Sequence, residues 1–408
     1  MDKCPTCQTK TQKNWNYCPQ CGIRIVEKQL FPVAKISYTW EKTDGGAFIH
    51  KNFKAVRESG VFLFKQGVPI RQTLGDFSHI QFYNLRKFSL LAYNPKLIYE
   101  LYEAYKLMGY YDTETVIKEA ELQGLLDSLV RTDYFWSIYE DKKFIQPAKE
   151  VFLRLGVGIL DWTLHKQKGR VNYRLRESIS TPIKASHTCC AEQVGDFIGA
   201  LESLSYRFWN GREVKCKSKG DDYCEFDMYL TKSEEKPEIE VLDKKEVDGI
   251  VDKIIEDIVA ERTIKYRKKV GDYVHIGGDQ CINYILTARS MGHEILAKYS
   301  GSIVGQKISQ ELGLKTTEES LEHLTRIFNK LRVGIIKEPQ YSQDKIKLQM
   351  FESMYSSGVE NIQKKLDTFI AGIIEGTIKQ ATGEKWTVEE TKCLANGDKY
   401  CEFKCELR

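Results

Sequence analysis

The chain reads as an α+β protein: an amino-terminal zinc ribbon, then two repeated mixed α/β domains, each ending in helix, strand, turn and strand. Three observations predict this. The run Lys215-Cys216-x-x-x-Gly220-Asp221-x-Tyr223-Cys224-Glu225-Phe226 returns as Lys392-Cys393-x-x-x-Gly397-Asp398-x-Tyr400-Cys401-Glu402-Phe403. The distance between the copies suits a whole domain rather than a solenoid unit. Two Cys-x-x-Cys pairs fall within the amino-terminal stretch 1–26. Apolar residues also recur at helical spacing ahead of each motif copy, at Val194, Phe197, Ile198 and Leu201, and at Leu366, Phe369, Ile370, Ile373 and Ile374.

In chain order, residues 1–26 form the ribbon and 30–230 the first repeated domain. The charged, proline-bearing stretch within 231–246 is a linker, and 247–408 forms the second domain. Helices are expected over Pro95–Gly109, Ala148–Leu164, Ile285–Tyr299 and Glu318–Leu331, and a strand over Lys269–Ile276. Gly195 and Gly199 fall on the helix before the first motif and Gly372 and Gly376 on its counterpart. Glycines four apart let another backbone come close, although each costs about 1 kcal/mol in helix propensity. The helices are expected to stop at Asn210-Gly211 and near Gly383, followed by strands Arg212–Cys216 and Lys385–Cys393.

With 408 residues and 42% hydrophobic content, the chain can bury more than one core. A net charge of +4 is too weak to argue for nucleic acid. No apolar run approaches the roughly 18 residues a membrane helix needs, and the mean hydropathy is −0.42. The polar, cysteine-rich start does not read as a signal peptide. Clustered among 12 cysteines, the Cys-x-x-Cys pairs favour metal binding in a reducing cytoplasm over disulfides. The expectation is a soluble, cytoplasmic protein.

Cys4, Cys7, Cys18 and Cys21 form Cys-x2-Cys-x10-Cys-x2-Cys. Two turns that each present a thiolate pair suit tetrahedral zinc. So short a segment cannot build a core, which leaves the metal to hold it folded. Such ribbons bind protein, DNA or RNA; a protein partner is expected here, with nucleic acid as the alternative.

Cys216 and Cys224 lie symmetrically about Gly220. In a hairpin turning there, their Cβ atoms sit about 5 Å apart, as two ligands of one zinc require. Cys189 or Cys190, at the start of the preceding helix, offers a third ligand and Glu213 a fourth. Residues three apart on a regular strand face opposite ways, so Glu213 joins Cys216 only through a bulge or an irregular strand end. Buried free thiols and a disulfide are the alternatives.

The run Cys-x-x-x-Gly-Asp-x-x-Cys-x-Phe after a glycine-bearing helix resembles the 4-vinyl-reductase-like small-molecule-binding domain. That family includes the sensor modules of phenol- and xylene-responsive activators and many archaeal hydrocarbon-binding proteins, and shares its fold with small subunits of the TRAPP tethering complex. The resemblance implies a structural zinc on Cys190, Glu213, Cys216 and Cys224. In the second copy Glu390, Cys393 and Cys401 match, but Asp367 stands where the first has Cys190. A weaker site including Asp367 and a metal-free copy are the alternatives, with Cys405 as a substitute ligand. The family's dimerisation through helices implies a monomer with an internal pseudo-dimer, or a weak homodimer.

Trp136, Trp162, Trp209 and His165 are candidates to line a cavity, with core packing the preferred reading of the tryptophans. His187 reads as a surface-turn histidine, Gly271–Asp279 as a tight turn, and the basic run 262–269 as a solvated helix face. There is no Gly-x4-Gly-Lys-Ser/Thr loop, no Gly-x-Gly-x-x-Gly fingerprint and no Gly-x-Ser-x-Gly elbow. The expected function is therefore non-enzymatic: binding or sensing a hydrophobic small molecule of unspecified identity, with the ribbon passing the signal to a partner. A ligand-free TRAPP-like scaffold, a ribbon-bearing transcription regulator, and an enzyme or chaperone of tetrapyrrole or cofactor metabolism are the rivals.

Overall fold

The same order of elements is built twice. The computed structural model describes residues 71–122, 155–260, 265–289, 292–337, 339–342, 344–359 and 364–408, with short pieces at 39–42 and 48–52 and isolated positions from 136 to 153. The ribbon cysteines Cys4, Cys7, Cys18 and Cys21 lie outside the described residues. After a two-stranded ladder of β1 (Thr39–Lys42) and β2 (Phe48–Asn52) come β3 (Phe77–His79), α1 (Ile80–Tyr93), α2 (Leu97–Leu122), β4 (Ile159–His165), β5 (Arg170–Arg176), α3 (Ala191–Ser205), β6 (Trp209–Lys215) and β7 (Cys224–Leu230). Helix α4 (Lys244–Val259) follows. The second round has β8 (Tyr273–His275), α5 (Ile276–Arg289), α6 (His293–Leu312), α7 (Thr317–Lys330), β9 (Ile335–Ile336), β10 (Gln340–Ser342), β11 (Lys345–Phe351), α8 (Thr368–Thr382), β12 (Trp386–Lys392) and β13 (Cys401–Leu407).

Each half carries an antiparallel sheet, ordered β4-β5-β7-β6 in the first and β10-β11-β13-β12 in the second, with β9 also beside β11. Strand alternation decides which face is inward. Val171, Tyr173 and Leu175 of β5, and Ile346, Leu348 and Met350 of β11, are buried. Against these faces lie α3 and α8, each paired with a long helix, α2 or α6. The pairs touch backbone to backbone. A Cβ added at Gly195 or Gly199 would run into the Tyr102 and Lys106 carbonyls, and one at Gly372 or Gly376 into those of Lys298 and Ser302.

The halves exchange their opening strands. β3 and β8 pair antiparallel with each other, and each is anchored on the other half. His79 N–H donates to the Leu331 carbonyl at 3.0 Å, and His275 N–H to that of Leu155 at 2.9 Å. Arg71, fully buried, donates from Nη1 to the Arg332 and Glu352 carbonyls at 2.6 and 3.2 Å. Arg267, its counterpart ahead of β8 and also fully buried, donates from Nη1 to the Gly156 and Glu177 carbonyls at 2.5 and 3.3 Å. In return, the Glu352 carboxylate accepts from the Thr73 and Leu74 N–H groups, and that of Glu177 from Lys269 and Val270. The opening strands begin at Phe77 and Tyr273, the motif helices at Ala191 and Thr368. The second interval is the shorter, so the first half is longer between its long helix and its sheet.

Several expectations need correction. Residues 90–93, read as an opening strand, end helix α1. Residues 80–92 of that helix are all buried, so no polar face marks its period. Ile285–Tyr299 is two helices broken before Gly292, which adopts a left-handed φ of 86°. The end of Ala148–Leu164 is strand β4. Helix α3 stops at Ser205, with Tyr206 in a left-handed cap, so β6 begins at Trp209 rather than Arg212. Arg267 belongs to no solvated face.

The helix packing and the β3–α1 junction can each be tested. Gly199→Ala forces apart helices in backbone contact, and a loss of about 1–3 kcal/mol in denaturant unfolding is expected; an unchanged midpoint would show that the helices separate freely. His79 Nδ1 accepts from the Gln81 N–H at 3.2 Å, a role only the neutral ring can play, and burial pushes its pKa down to about 4. The unfolded chain titrates near 6.5, so it takes up the proton first. Stability from this group is complete above about pH 6.5 and declines towards pH 4, by about 3 kcal/mol in all. His79→Asn should flatten that part of the pH–stability curve, read by chemical denaturation at successive pH values.

Candidate metal centres

The repeated motif is a hairpin built to hold two thiols inward. After Cys216 a short 3-10 turn leads to Gly220, whose φ of 100° favours glycine. Asp221 then folds back, its Oδ2 accepting from the Cys216 N–H at 2.8 Å. In the second copy Gly397 has a φ of 86°, and Asp398 Oδ2 accepts from Cys393 N–H at 3.0 Å. The remaining motif residues are explained too. Lys215 lies over the Tyr223 ring at 4.9 Å and pairs with Glu225 at 3.0 Å. Lys392 repeats this with Tyr400 at 5.0 Å and Glu402 at 3.3 Å. Phe226 and Phe403 are fully buried.

The strand irregularity required for Glu213 is present. The β6–β7 register shifts between Glu213 and Lys215, and the β12–β13 register between Glu390 and Lys392. The extra residue turns each glutamate to the cysteine side. Cys190 and Asp367 stand immediately before α3 and α8, and the glycine contacts hold those helix starts down on the hairpins. Two clusters result: Cys190, Glu213, Cys216 and Cys224, and Asp367, Glu390, Cys393 and Cys401. In each, one ligand atom from every residue lies within 4.8 Å of the others.

Both clusters could hold a metal ion. A tetrahedral zinc with arms of about 2.3 Å to sulfur needs sulfurs about 3.8 Å apart, and Cys190 Sγ to Cys224 Sγ is 3.8 Å. Glu213 Oε2 accepts from the Cys190 N–H at 2.9 Å while its Oε1 is buried without a partner. Glu390 is arranged alike: Oε2 accepts from Asp367 N–H at 3.1 Å and Oε1 is unpartnered. An orphaned buried carboxylate oxygen beside thiols is what a cation would satisfy. Burial pushes the Glu213 and Glu390 carboxyls well above their usual range. Hydrogen bonds from neighbouring thiols, Cys189 first, hold Cys216 far below the ordinary thiol value. Asp367 is pushed up by burial and steadied by the Ser353 and Ser356 hydroxyls, the latter donating at 2.6 Å.

Cys189 stays outside the four-atom set, its Sγ facing the His187 carbonyl at 3.6 Å. Cys405 lies two side-chain repeats along β13 from Cys401, about 13 Å away, and does not reach the cluster. Trp209 is buried with Nε1 on Ser205 Oγ at 2.7 Å, and Trp162 packs edge-on to Tyr173 at 6.1 Å. His165 is exposed, and His187 binds Ser186 and Glu246 at the surface. The pattern reading missed the buried charges Arg86, Lys87, Glu192 and Asp279; a charged residue inside an apolar helical run is the signal that could have found them.

Residues 346–407 match the vinyl-4-reductase domain. An uncharacterized protein of Methanocaldococcus jannaschii, MJ0150, is 25% identical over 166 residues, covering 40% of this chain and 91% of its own length. Among solved structures, a vinyl-4-reductase family protein from the same organism is 19% identical, with 40% of this chain and 95% of that one covered, at a TM-score of 0.28. The phenol-responsive sensory domain of the transcription activator PoxR is 15% identical, covering 37% and 74%, also at 0.28. Among the described residues no helix is long and apolar enough to cross a membrane.

Removal of one first-cluster ligand tests the geometry. Cys216→Ser should lower the bound metal by one per chain and destabilise the fold by on the order of 3 kcal/mol or more, whereas Cys405→Ala should leave metal content unchanged. Elemental analysis beside thermal unfolding reads both, and equal metal content in the two variants would exclude the cluster as a binding site.

Proposed function

We propose that the chain is a non-enzymatic, zinc-stabilised protein of two halves of the vinyl-4-reductase type, 30–230 and 247–408 joined by 231–246, that binds or senses a hydrophobic small molecule in the cytoplasm. A ribbon at 1–26, closed by zinc on Cys4, Cys7, Cys18 and Cys21, passes the signal to a partner protein. The observation that carries the zinc assignment is the pair of closed thiolate–carboxylate sets beneath repeated hairpins. Four protein ligands leave no open position, so the ion's role is structural. The domain match over 346–407 supports the small-molecule reading.

The first half offers a place for an apolar guest. A cleft of about 310 Å³, counting the space open to solvent, is lined by Phe88, Leu91, Pro95, Ile98, Leu242 and Val247 among others. Its volume falls at the lower edge of ordinary ligand pockets. A second reading, the ligand-free scaffold, is favoured by the other half. There Phe82 reaches across from α1 and packs on Phe328, Tyr355 and Phe369 at ring separations of 6.1 to 6.4 Å. The two readings divide between the halves: a receptive first half and a filled second one.

Native mass spectrometry of the purified full chain, with elemental analysis, tests this. Three zinc ions per chain and a retained apolar molecule are expected. Zinc without a retained molecule, and without thermal stabilisation by any of a panel of small aliphatic and aromatic compounds, would favour the scaffold.

A further inference from the structure

A second set of buried charges, which neither metal cluster uses, lies where α1, α2, α3 and α5 meet. Arg86 donates from Nη1 to Asp279 Oδ1 at 3.0 Å and from Nη2 to Asn283 Oδ1 at 2.5 Å, with its guanidinium 5.0 Å over the Tyr355 ring. Lys87 Nζ donates to Glu192 Oε1 and to the Cys189 carbonyl. The Tyr83 and Tyr105 hydroxyls share a hydrogen bond of 2.7 Å. All of these side chains are buried. With Leu90, Leu101 and Ile282 they line a narrow cleft of about 300 Å³, counting the space open to solvent.

The chemistry of the lining restricts the guest. Two cations and two carboxylates balance, so a charged guest would bring an uncompensated buried charge. Three atoms have no hydrogen-bond partner: Glu192 Oε2, Asp279 Oδ2 and Arg86 Nε. They are two acceptors and one donor, and leaving them unmet in the interior is costly. A guest that meets them is neutral and offers two donors and one acceptor.

The equivalent place in the second half is built differently. In the motif alignment Phe369 stands where the first half has Glu192, and in the alignment of the opening elements Gly301 stands for Tyr105. Phe369 there packs on Phe82, and the interior is apolar. Phe82 in turn corresponds to Gly278, where an added Cβ would meet nothing within 4 Å. One half fills this space with rings, and the other lines it with balanced charge and leaves polar atoms open.

We propose that the cleft of the first half binds a small neutral molecule carrying at least two N–H or O–H donors and one acceptor, of the primary-amide or diol class. It adds a polar subsite to the small-molecule reading, which motivates it, but its binding is measured independently. The test is titration of acetamide into the full-length protein carrying ¹³C-labelled isoleucine methyls, with the Ile282 signal assigned through Ile282→Val. A saturable Ile282 shift is expected with acetamide. It should weaken at least tenfold with N,N-dimethylacetamide, which keeps the acceptor and lacks the donors, and in Leu101→Phe, which narrows the cleft without touching a charge. A linear response, or equal responses to the two amides, overturns the proposal and leaves the cleft a water site. Saturation at Ile282 without a retained apolar molecule in native mass spectrometry would sink the wider reading and keep this one; the reverse result would do the opposite.

Discussion

Backbone contact between paired helices is the constraint on which both cysteine clusters depend. Helices usually pack with axes about 8–10 Å apart, held off by side chains. Here Gly195 and Gly199, and Gly372 and Gly376, remove those side chains where the neighbouring carbonyls approach. α3 and α8 therefore sit low between long helix and sheet, with their first residues at the height of the hairpin thiols. Cys190 N–H then reaches Glu213 Oε2, and Asp367 N–H reaches Glu390 Oε2. The helix start thus contributes a side chain to the cluster and also orients the glutamate through its own backbone donor.

Sequence repeat and packing unit are different partitions of this chain. The repeat divides it at the charged stretch after Leu230, but the strands at 77–79 and 273–275 lie on opposite halves from the motifs that follow them. Arg71 and Arg267 close the exchange with charged donors on carbonyls that would otherwise lack partners inside the core. Removing either opening strand exposes carbonyls of the other half, so the halves are coupled in stability whatever each one binds.

Much of the site was legible because its signals are local. Two cysteines about a glycine, an aspartate to fold back on the first, and a glutamate three residues earlier define a hairpin with one bulge. The structure has that bulge at 213–215 and at 390–392. The glycine pair signalled close helix packing for the same reason. What stayed hidden is non-local. Helix α1 is buried on every side because α4, α6 and the opposite half all cover it, and a helix without a polar face has no period to detect. Arg267 looked solvated within a basic run, since nothing nearby in sequence reveals the carbonyls of residues 156 and 177 that receive it.

Duplication also explains how the halves could diverge at linked positions. Replacing Cys190 by Asp367 exchanges a soft thiolate for a carboxylate, and the second half supplies Ser353 and Ser356 to bond its oxygens. That cluster meets part of its polar demand from the protein itself, whereas the first, with three thiols and one carboxylate, depends more on a thiophilic cation. Two residues further along the same helix start, Glu192 faces Lys87 where Phe369 faces Phe82. Ligand softness at the hairpin and polarity at the helix junction therefore change together within one short turn. The half with the softer ligand set is the half with the open, charge-lined interior. Lys87, which binds both Glu192 and the carbonyl next to Cys190, joins the two features in a single side chain.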